Sequence, residues 1–201
     1  MRIFGIDPGS ERTGYGCVET DGRRHRLIAC GAIAAVAADT FPTRLARIHR
    51  ELTARLIECR PDDVVVENLF YASNARSALK LGHARGVAIL AAVEAGCRIV
   101  EYTPAEVKRA VVGYGRADKR QVQQMIKLLL GLDRPPAPHD AADALAVAIC
   151  HAHTGLGVRG SRLGPRGSGL SGDAGSGIRH PGPAIGSPGT HLKSWRQYRP
   201  A

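Results

Sequence analysis

The fold is determined first by residues 2–33, RIFGIDPGSERTGYGCVETDGRRHRLIACGAI. This stretch holds three runs of strand-forming residues, RIFGID, GYGCVET and HRLIACGAI, which are separated by turn-forming residues in PGSERT and DGRR. Strands that are joined by such short turns pair with one another in antiparallel fashion. The stretch therefore predicts a three-stranded antiparallel meander at the start of the chain.

Helices and strands alternate after the meander. The rest of the chain contains, in order, a predicted helix over 43–60, a strand over 62–67, a helix over 74–96, a strand over 98–103, and helices over 104–112, 118–131 and 140–153. This order is typical of a mixed α/β sheet. We expect five strands, antiparallel in the meander and parallel afterwards, with helices flanking the sheet.

Composition restricts the class of protein. The chain has 201 residues, of which 44% are hydrophobic, and its formal charge of +10 indicates a polyanionic partner, with nucleic acid favoured over an anionic membrane. No apolar run approaches the ~18 residues that span a bilayer, and the start of the chain lacks a signal-peptide pattern. We expect a cytoplasmic protein with no membrane partner. Its five scattered cysteines include no C-x-x-C pair, so reduced thiols are expected rather than a disulfide framework or a zinc site.

The composition changes sharply near residue 154. Residues 155–201 contain 12 of the 24 glycines, and seven lysines and arginines against one acidic residue, Asp173. A segment with so little apolar content cannot bury enough surface to offset the entropy of ordering it. The sequence therefore predicts a folded domain over 1–154 and a disordered basic tail over 155–201, rich in Gly, Pro, Ser and Arg.

Acidic residues stand at the ends of predicted elements. Asp7 ends the first strand before a Pro-Gly turn, Glu67 ends the fourth strand, and Asp140 and Asp143 open the last helix. An aspartate before Pro-Gly is commonly a turn former, and an aspartate at a helix start is commonly a cap. Glu67 is different, because the carboxyl end of a strand in an open α/β sheet is where ligands bind. If strands one and four are neighbours, all four carboxylates share one pocket.

Such a cluster is unfavourable unless most of its members are protonated or a cation binds, because like charges in contact raise one another's pKa. Carboxylate oxygens at this charge density suit Mg²⁺ or Mn²⁺. Two such ions ~3.5 to 4 Å apart are the machinery of phosphodiester cleavage. The residues alone thus point to a metal-dependent nuclease.

Four segments together resemble the RuvC family of bacterial Holliday junction resolvases, and the resemblance runs from Met1 to about His153. They are GIDPGSERTGYG, VVVENLFYASNARSALKLGHARGVAILAA, VKRAVVGYGRADKRQVQ and HDAADALAVAICHAH. The resemblance implies a ribonuclease H-like fold, a homodimer, four-way junction DNA as substrate, and a branch-migration motor partner, RuvA and RuvB. It also implies two Mg²⁺ ions per subunit, replaceable by Mn²⁺, and cuts that leave 5′-phosphate and 3′-hydroxyl ends.

The resemblance also assigns residues. Asp7, Glu67, Asp140 and Asp143 occupy the family's catalytic and metal-binding positions. Some members carry histidine in place of the first aspartate of the last helix; this chain keeps the aspartate, and the adjacent His139 is expected to be a surface residue before the helix.

DNA-binding residues are expected near the carboxylates. Phe70 and Tyr71 directly follow the fourth strand, and they suit either base stacking or core packing. The resemblance favours stacking for Phe70, since the family places an aromatic wedge there. It also matches Lys108 and Lys119 to phosphate-binding positions, and Arg76 and Lys80 are expected to be among the residues that widen this basic surface.

Two alternatives remain open at this point. The first is another ribonuclease H-like nuclease of the YqgF type, which lacks the NLFYASNARSALKLGHARG match. The second is a junction-binding protein without catalysis, which would have no use for four clustered carboxylates, because they repel DNA unless a metal neutralises them.

Overall fold

A computed structural model describes residues 1–36, 38–68 and 74–160 of the chain. The elements are β1 (Arg2–Asp7), β2 (Arg12–Thr20), β3 (His25–Ala34), α1 (Phe41–Cys59), β4 (Asp63–Glu67), α2 (Ala75–Glu94), β5 (Arg98–Tyr102), α3 (Pro104–Val112), α4 (Lys119–Leu129) and α5 (His139–Gly160). Every predicted strand and helix is present in the predicted order.

The five strands form one mixed sheet in the order β3-β2-β1-β4-β5. The β1/β2 and β2/β3 pairs are antiparallel, whereas β1/β4 and β4/β5 are parallel. This arrangement confirms the predicted meander followed by parallel strands. Ile6 is paired with Val66, so the carboxyl ends of β1 and β4 lie side by side.

Helices cover both faces of the sheet. One face packs against α1 and α2 through a core that includes Phe4, Ile6 and Val64. The other face packs against α3, α4 and α5 through a core that includes Ile3, Val65 and the buried apolar run of α5. Since side chains alternate along a strand, Asp7 and Glu67 project on the same side as Ile3 and Val65, toward α5.

Three glycines let α5 lie directly on the sheet. Gly5 of β1 is paired with Gly16 of β2, and Gly14 of β2 is paired with Asp7. A methyl group on Gly5 would collide with the carbonyl oxygen of Ala144, and one on Gly14 would collide with that of Asp140. Helix α5 therefore rests on strand backbone, and its first turn lies over the end of β1.

The other end of α5 is attached to the sheet by polar bonds. The buried carboxylate of Asp63 accepts bonds from Arg98 Nε at 2.6 Å and from His151 Nε2 at 2.9 Å, and His151 Nδ1 lies 2.9 Å from the hydroxyl of Tyr102. Burial raises the pKa of Asp63, but the bonds from Arg98 and His151 outweigh burial, and the pKa lies below its ordinary value. Asp63, at the start of β4, thus attaches that strand to α5 through His151.

Capping residues explain where helix bounds differ from the predicted ones. Helix α1 begins at Phe41, because the Thr40 side chain accepts a bond from the Thr43 backbone. Helix α4 begins at Lys119, because Asp118 and Gln121 form a capping box before it.

The last helix extends past its predicted end. Helix α5 continues to Gly160, six residues beyond the predicted domain boundary at Thr154. Adding residues to an existing helix is far easier than nucleating one, so glycines after a packed helix do not stop it at once. The rest of the predicted tail, 161–201, lies outside the described residues, as do Phe70 and Tyr71.

The structure bears on the expectations for the cysteines and for membrane-spanning helices. All five cysteines fall among the described residues, and each is a free thiol. Among the described residues, no helix combines the length and the apolar content that are needed to cross a membrane.

We predict that Gly5→Ala lowers the free energy of unfolding by about 3 kcal/mol, because the added methyl group collides with backbone that cannot move aside. Gly115→Ala is the matched control, since its methyl group would lie 3.4 Å from the nearest atom, and it should change stability by less than about 0.5 kcal/mol. Urea unfolding of the two variants measures the difference. Equal stabilities would contradict the close packing of α5 on β1.

Candidate active site

Asp7 and Glu67 meet at the ends of β1 and β4 and share a side-chain hydrogen bond. Burial raises the pKa of Asp7 to about 8, with further contributions from the negative charges of Glu67 and Asp143, from the bond to Glu67, and from Asp140. Burial also raises the pKa of Glu67, although the bond to Asp7 and the charges of Lys108 and Lys119 lower it in part. In the absence of a cation, the pair therefore retains a proton near neutral pH, and Asp7 donates it to Glu67.

Asp143 lies about one helical turn after Asp140 on α5 and forms an ion pair with a lysine. Lys119, the first residue of α4, places its Nζ 2.6 Å from Asp143 Oδ2. Burial lowers the pKa of Lys119, but the bond and the charge of Asp143 outweigh burial, and the pKa is raised overall. The lysine supplies positive charge to the carboxylate cluster.

Asp140 occupies the first turn of α5 and faces β2. Its Oδ2 lies 3.9 Å from Nε of Arg12, the first residue of β2. Both partners remain accessible, since 28% of the Asp140 side chain and 55% of the Arg12 side chain are exposed. This is a long, solvated ion pair, in contrast to the short bond between Lys119 and Asp143.

A cavity of about 220 Å³ opens beside the carboxylates, between the end of β4 and helices α3, α4 and α5. Its lining consists of Glu67, Pro104, Val107, Lys108, Lys119, Val122, Asp143 and Ala146. Two carboxylates and two lysines thus face one opening, and the rest of the wall is apolar. An anionic group that enters the cavity meets both ammonium groups.

The donor set fits a hard divalent cation. Over the described residues, no three histidine, cysteine, aspartate or glutamate side chains are already gathered at metal-binding distance. The four carboxylates nevertheless lie close enough that the other three all raise the pKa of Asp7. A proton on the Asp7 and Glu67 pair and the ammonium group of Lys119 provide the positive charge that a cation would otherwise supply. All the donors are carboxylate oxygens, which Mg²⁺ and Mn²⁺ prefer.

The structure brings most of the predicted site residues together. Asp7, Glu67, Asp140, Asp143, Lys108 and Lys119 lie at the cluster or its cavity. The cavity lining, taken over the described residues, does not include Arg76 or Lys80: Arg76 is exposed in the first turn of α2, and Lys80 lies over the ring of Phe41 with its Nζ 5.8 Å from the ring centre. Phe70 lies outside the described residues.

His139 is the first residue of α5 rather than a residue before the helix. It is exposed, and its Nδ1 lies 2.7 Å from Nε2 of Gln123, from which it accepts a bond.

Sequence reasoning missed the residues of β2 that adjoin the site. Gly14 faces the Asp140 backbone, and Arg12, two residues earlier, faces the Asp140 carboxylate. A usable signal was present, because glycine inside a strand often marks close approach of another backbone. The stretch GYG carries two such glycines in a run that otherwise reads as a strand.

Known proteins are similar to this chain both in sequence and in fold. The sequence model of the family described as "Crossover junction endodeoxyribonuclease RuvC" matches residues 3–151. The chain is 53% identical over 155 residues to that enzyme from Alkaliphilus oremlandii (strain OhILAs), an overlap of 77% of this chain and 94% of the relative. It is 55% identical over 155 residues to that of Koribacter versatilis (strain Ellin345), over 77% of this chain and 93% of the relative.

A solved structure of Thermus thermophilus RuvC in complex with a Holliday junction substrate has a TM-score of 0.74 and 36% sequence identity to the chain. The matched region covers 78% of this chain and 96% of the T. thermophilus chain. The likeness confirms the predicted ribonuclease H-like fold.

We predict that Asp7 makes the metal-free protein less stable as pH rises. The pKa of Asp7 is higher in the folded state, at about 8, than its ordinary value of 3.8. The stability that its proton contributes is therefore fully present below about 3.8 and is lost as pH rises through about 8. Asp7→Asn removes this titration, so in chelator the Tm of the variant should exceed that of the parent by at least about 2 °C at pH 8 and should approach it in acid.

Circular dichroism melts from pH 5 to 9 measure this difference. Asp21→Asn is the control, because backbone bonds from Arg24 and Arg23 lower the pKa of that exposed carboxyl. The Tm of this control, relative to that of the parent, should not increase as pH rises. A constant Tm difference between Asp7→Asn and the parent would contradict the raised pKa.

Proposed function

The chain belongs to the RuvC family of crossover junction endodeoxyribonucleases, and we propose that it resolves four-way DNA junctions by paired, metal-dependent cuts. The observation that carries this proposal is the meeting of Asp7, Glu67, Asp140 and Asp143 beside an open cavity that also presents two lysines. The junction-bound T. thermophilus relative supports the choice of substrate. A DNA substrate in a bacterial cell would place the protein in the cytoplasm, and family membership suggests the motor RuvA and RuvB as its partner.

The four carboxylates would hold the metal. We assign two Mg²⁺ ions per subunit to Asp7, Glu67, Asp140 and Asp143, with Mn²⁺ as a substitute. When bound, the ions supply an activated water and stabilise the leaving oxygen, which yields 5′-phosphate and 3′-hydroxyl ends. Burial of Asp7 and Glu67 keeps bulk water away from part of this site and strengthens its electrostatics.

The lysines would hold the substrate. Lys108 lies on α3 and Lys119 begins α4, so their ammonium groups reach the cavity from two different helices. A phosphate group in the cavity would accept bonds from both, while its backbone continues along the outer surface. Lys119 is also bound to Asp143, so it keeps that carboxylate in place.

A second copy of the chain would supply the second cut. Exposed residues on α2 recur every three or four positions and form one stripe of Leu79, Gly82, Gly86, Leu90 and Val93. Methyl groups built on Gly82 and Gly86 meet nothing within 4 Å among the described residues, so a partner helix has room to approach closely. A stripe of this kind is self-complementary about a two-fold axis, and a two-fold junction presents two equivalent strands to two equivalent sites.

Catalysis, rather than junction binding alone, explains the carboxylates. A binding protein gains affinity from cations, and four carboxylates at the centre of its surface would weaken that affinity. The raised pKa values of Asp7 and Glu67 are typical of groups that are clustered for chemistry.

We predict that Asp7→Asn, Glu67→Gln, Asp140→Asn and Asp143→Asn each lower cleavage of a synthetic four-way junction by at least about a hundredfold, while junction binding persists. Cleavage by the parent should require Mg²⁺ or Mn²⁺, and should stop in chelator or when Ca²⁺ replaces them. The assay follows labelled strands on a denaturing gel, with a linear duplex of equal length for comparison.

Asp133→Asn is the matched control, because Asp133 is an exposed carboxylate in the loop before α5. It should cut at the parental rate. Parental cleavage by the Asp7 or Glu67 variant would rule out the assigned site, and efficient cutting in chelator would rule out metal catalysis.

We predict that Leu90→Glu converts a dimer to a monomer, because the substitution places a charge within the apolar stripe on α2. Leu128→Glu is the matched control, since Leu128 is an exposed leucine on α4 and should leave the dimer intact. Sedimentation velocity at micromolar concentration distinguishes the two states. A dimer that survives Leu90→Glu would place the subunit contact elsewhere.

A further inference from the structure

Arg12 is a cation beside the carboxylate cluster that the proposed mechanism does not use. It begins β2, which lies on the other side of β1 from β4, and its side chain is 55% exposed. Over the described residues, the one recorded polar contact of its guanidinium group is the 3.9 Å approach to Asp140. Most of its five N–H donors are therefore available to a ligand.

The backbone around Arg12 is held in place. The buried hydroxyl of Thr13 donates to the carbonyl of Gly9 at 2.9 Å, and the backbone N–H of Ala35 donates to the carbonyl of Glu11 at 2.8 Å. Because side chains alternate along a strand, Arg12 projects from the same face as Gly14, which is paired with Asp7. The guanidinium group is thus directed to the edge of the active site by a fixed strand.

Stability of the fold does not account for this placement. An exposed ion pair at this distance contributes little to the stability of a fold. Arg12 also lies near the first turn of α5, where the positive end of the helix dipole disfavours a second positive charge. A cation in this position is better explained by an anion that arrives from solution.

The charges around the site suggest which anion. Lys108 and Lys119 flank the carboxylates on the side of α3 and α4, and Arg12 flanks them on the side of β2. A DNA strand whose scissile phosphate lies over the carboxylates continues to both sides with further phosphates. Arginine suits such a phosphate, because its planar fork can donate two parallel bonds.

We propose that Arg12 binds a backbone phosphate next to the scissile one, on the β2 side of the active site, and positions the strand for cleavage. This inference rests on the proposed junction-cleaving function and adds a positioning residue to it. The competing role is that Arg12 only neutralises Asp140.

The first test measures junction affinity in the Asp7→Asn background, in which the strand stays intact. Arg12→Ala should weaken binding about tenfold and reduce the slope of log K against log salt by about 1, as expected for one lost phosphate contact. Arg12→Lys should restore the salt slope but only part of the affinity. Arg23→Ala is the matched control: Arg23 is exposed in the turn at the far end of β2, and its loss should have a smaller effect on both quantities.

The second test locates the phosphate. Single neutral methylphosphonates are placed at successive positions on both sides of the cleavage point, and affinity is measured for each. At one position beside the scissile phosphate, the substitution should weaken binding to the Arg12 protein but not to Arg12→Ala. Identical profiles for the two proteins, or an effect of Arg12→Ala no larger than that of Arg23→Ala, would overturn the proposal.

A third measurement distinguishes phosphate binding by Arg12 from the competing role, in which Arg12 only neutralises Asp140. If Arg12 contacts DNA, Arg12→Ala should weaken binding in the Asp140→Asn background as much as it does with Asp140 present. Loss of the effect in that background would mean that Arg12 acts only on Asp140, and the proposal would be wrong. Failure of the proposed function gives a different result from failure of the Arg12 proposal. If the function is wrong, the parent chain does not cleave the junction in Mg²⁺, and the positioning role of Arg12 is then also wrong.

Discussion

Contact between the α5 backbone and the β1/β2 backbone is the constraint on which the rest of the structure depends. Gly5, Gly14 and Gly16 remove the side chains that would normally separate a helix from a sheet. The helix therefore approaches the sheet more closely than it could if these positions carried side chains. Its first turn comes within reach of a carboxylate at the end of β1, and two elements far apart in sequence form one site.

Electrostatic repulsion is the cost of that closeness. Four carboxylates near one another would destabilise the protein if all were ionised, and the structure offsets the repulsion with a shared proton and with Lys119. Both compensations are reversible. A site that is held together by exchangeable positive charge can accept a cation without rearranging the fold, because the helix and strands are fixed elsewhere, by glycine packing at one end of α5 and by the Asp63 network at the other.

The sequence predicted the elements and the carboxylates for different reasons. Strand and helix order follows from periodicity and turn residues, which are local, and Asp7 and Glu67 could be assigned to one site because parallel neighbours end at the same edge. The glycines of β2 signal that another backbone approaches, but the partners of Arg12, Gly14 and Asp63 on α5 could not be predicted in this way. Each depends on which residue of α5 lies over which residue of the sheet, and that alignment is a property of tertiary packing.

The position of a register shift in the sheet has an evolutionary consequence. The register of β2 against β3 shifts between Cys17 and Val18, whereas the β1/β2 pairing runs without interruption from Arg2 to Asp7. Slippage of β1 against β2 by one residue would turn the glycines away from the helix. Insertions and deletions should therefore be tolerated along the edge strand β3 and selected against in the β1/β2 hairpin, so that homologues differ in length at the outside of the sheet while its centre keeps a constant count of residues.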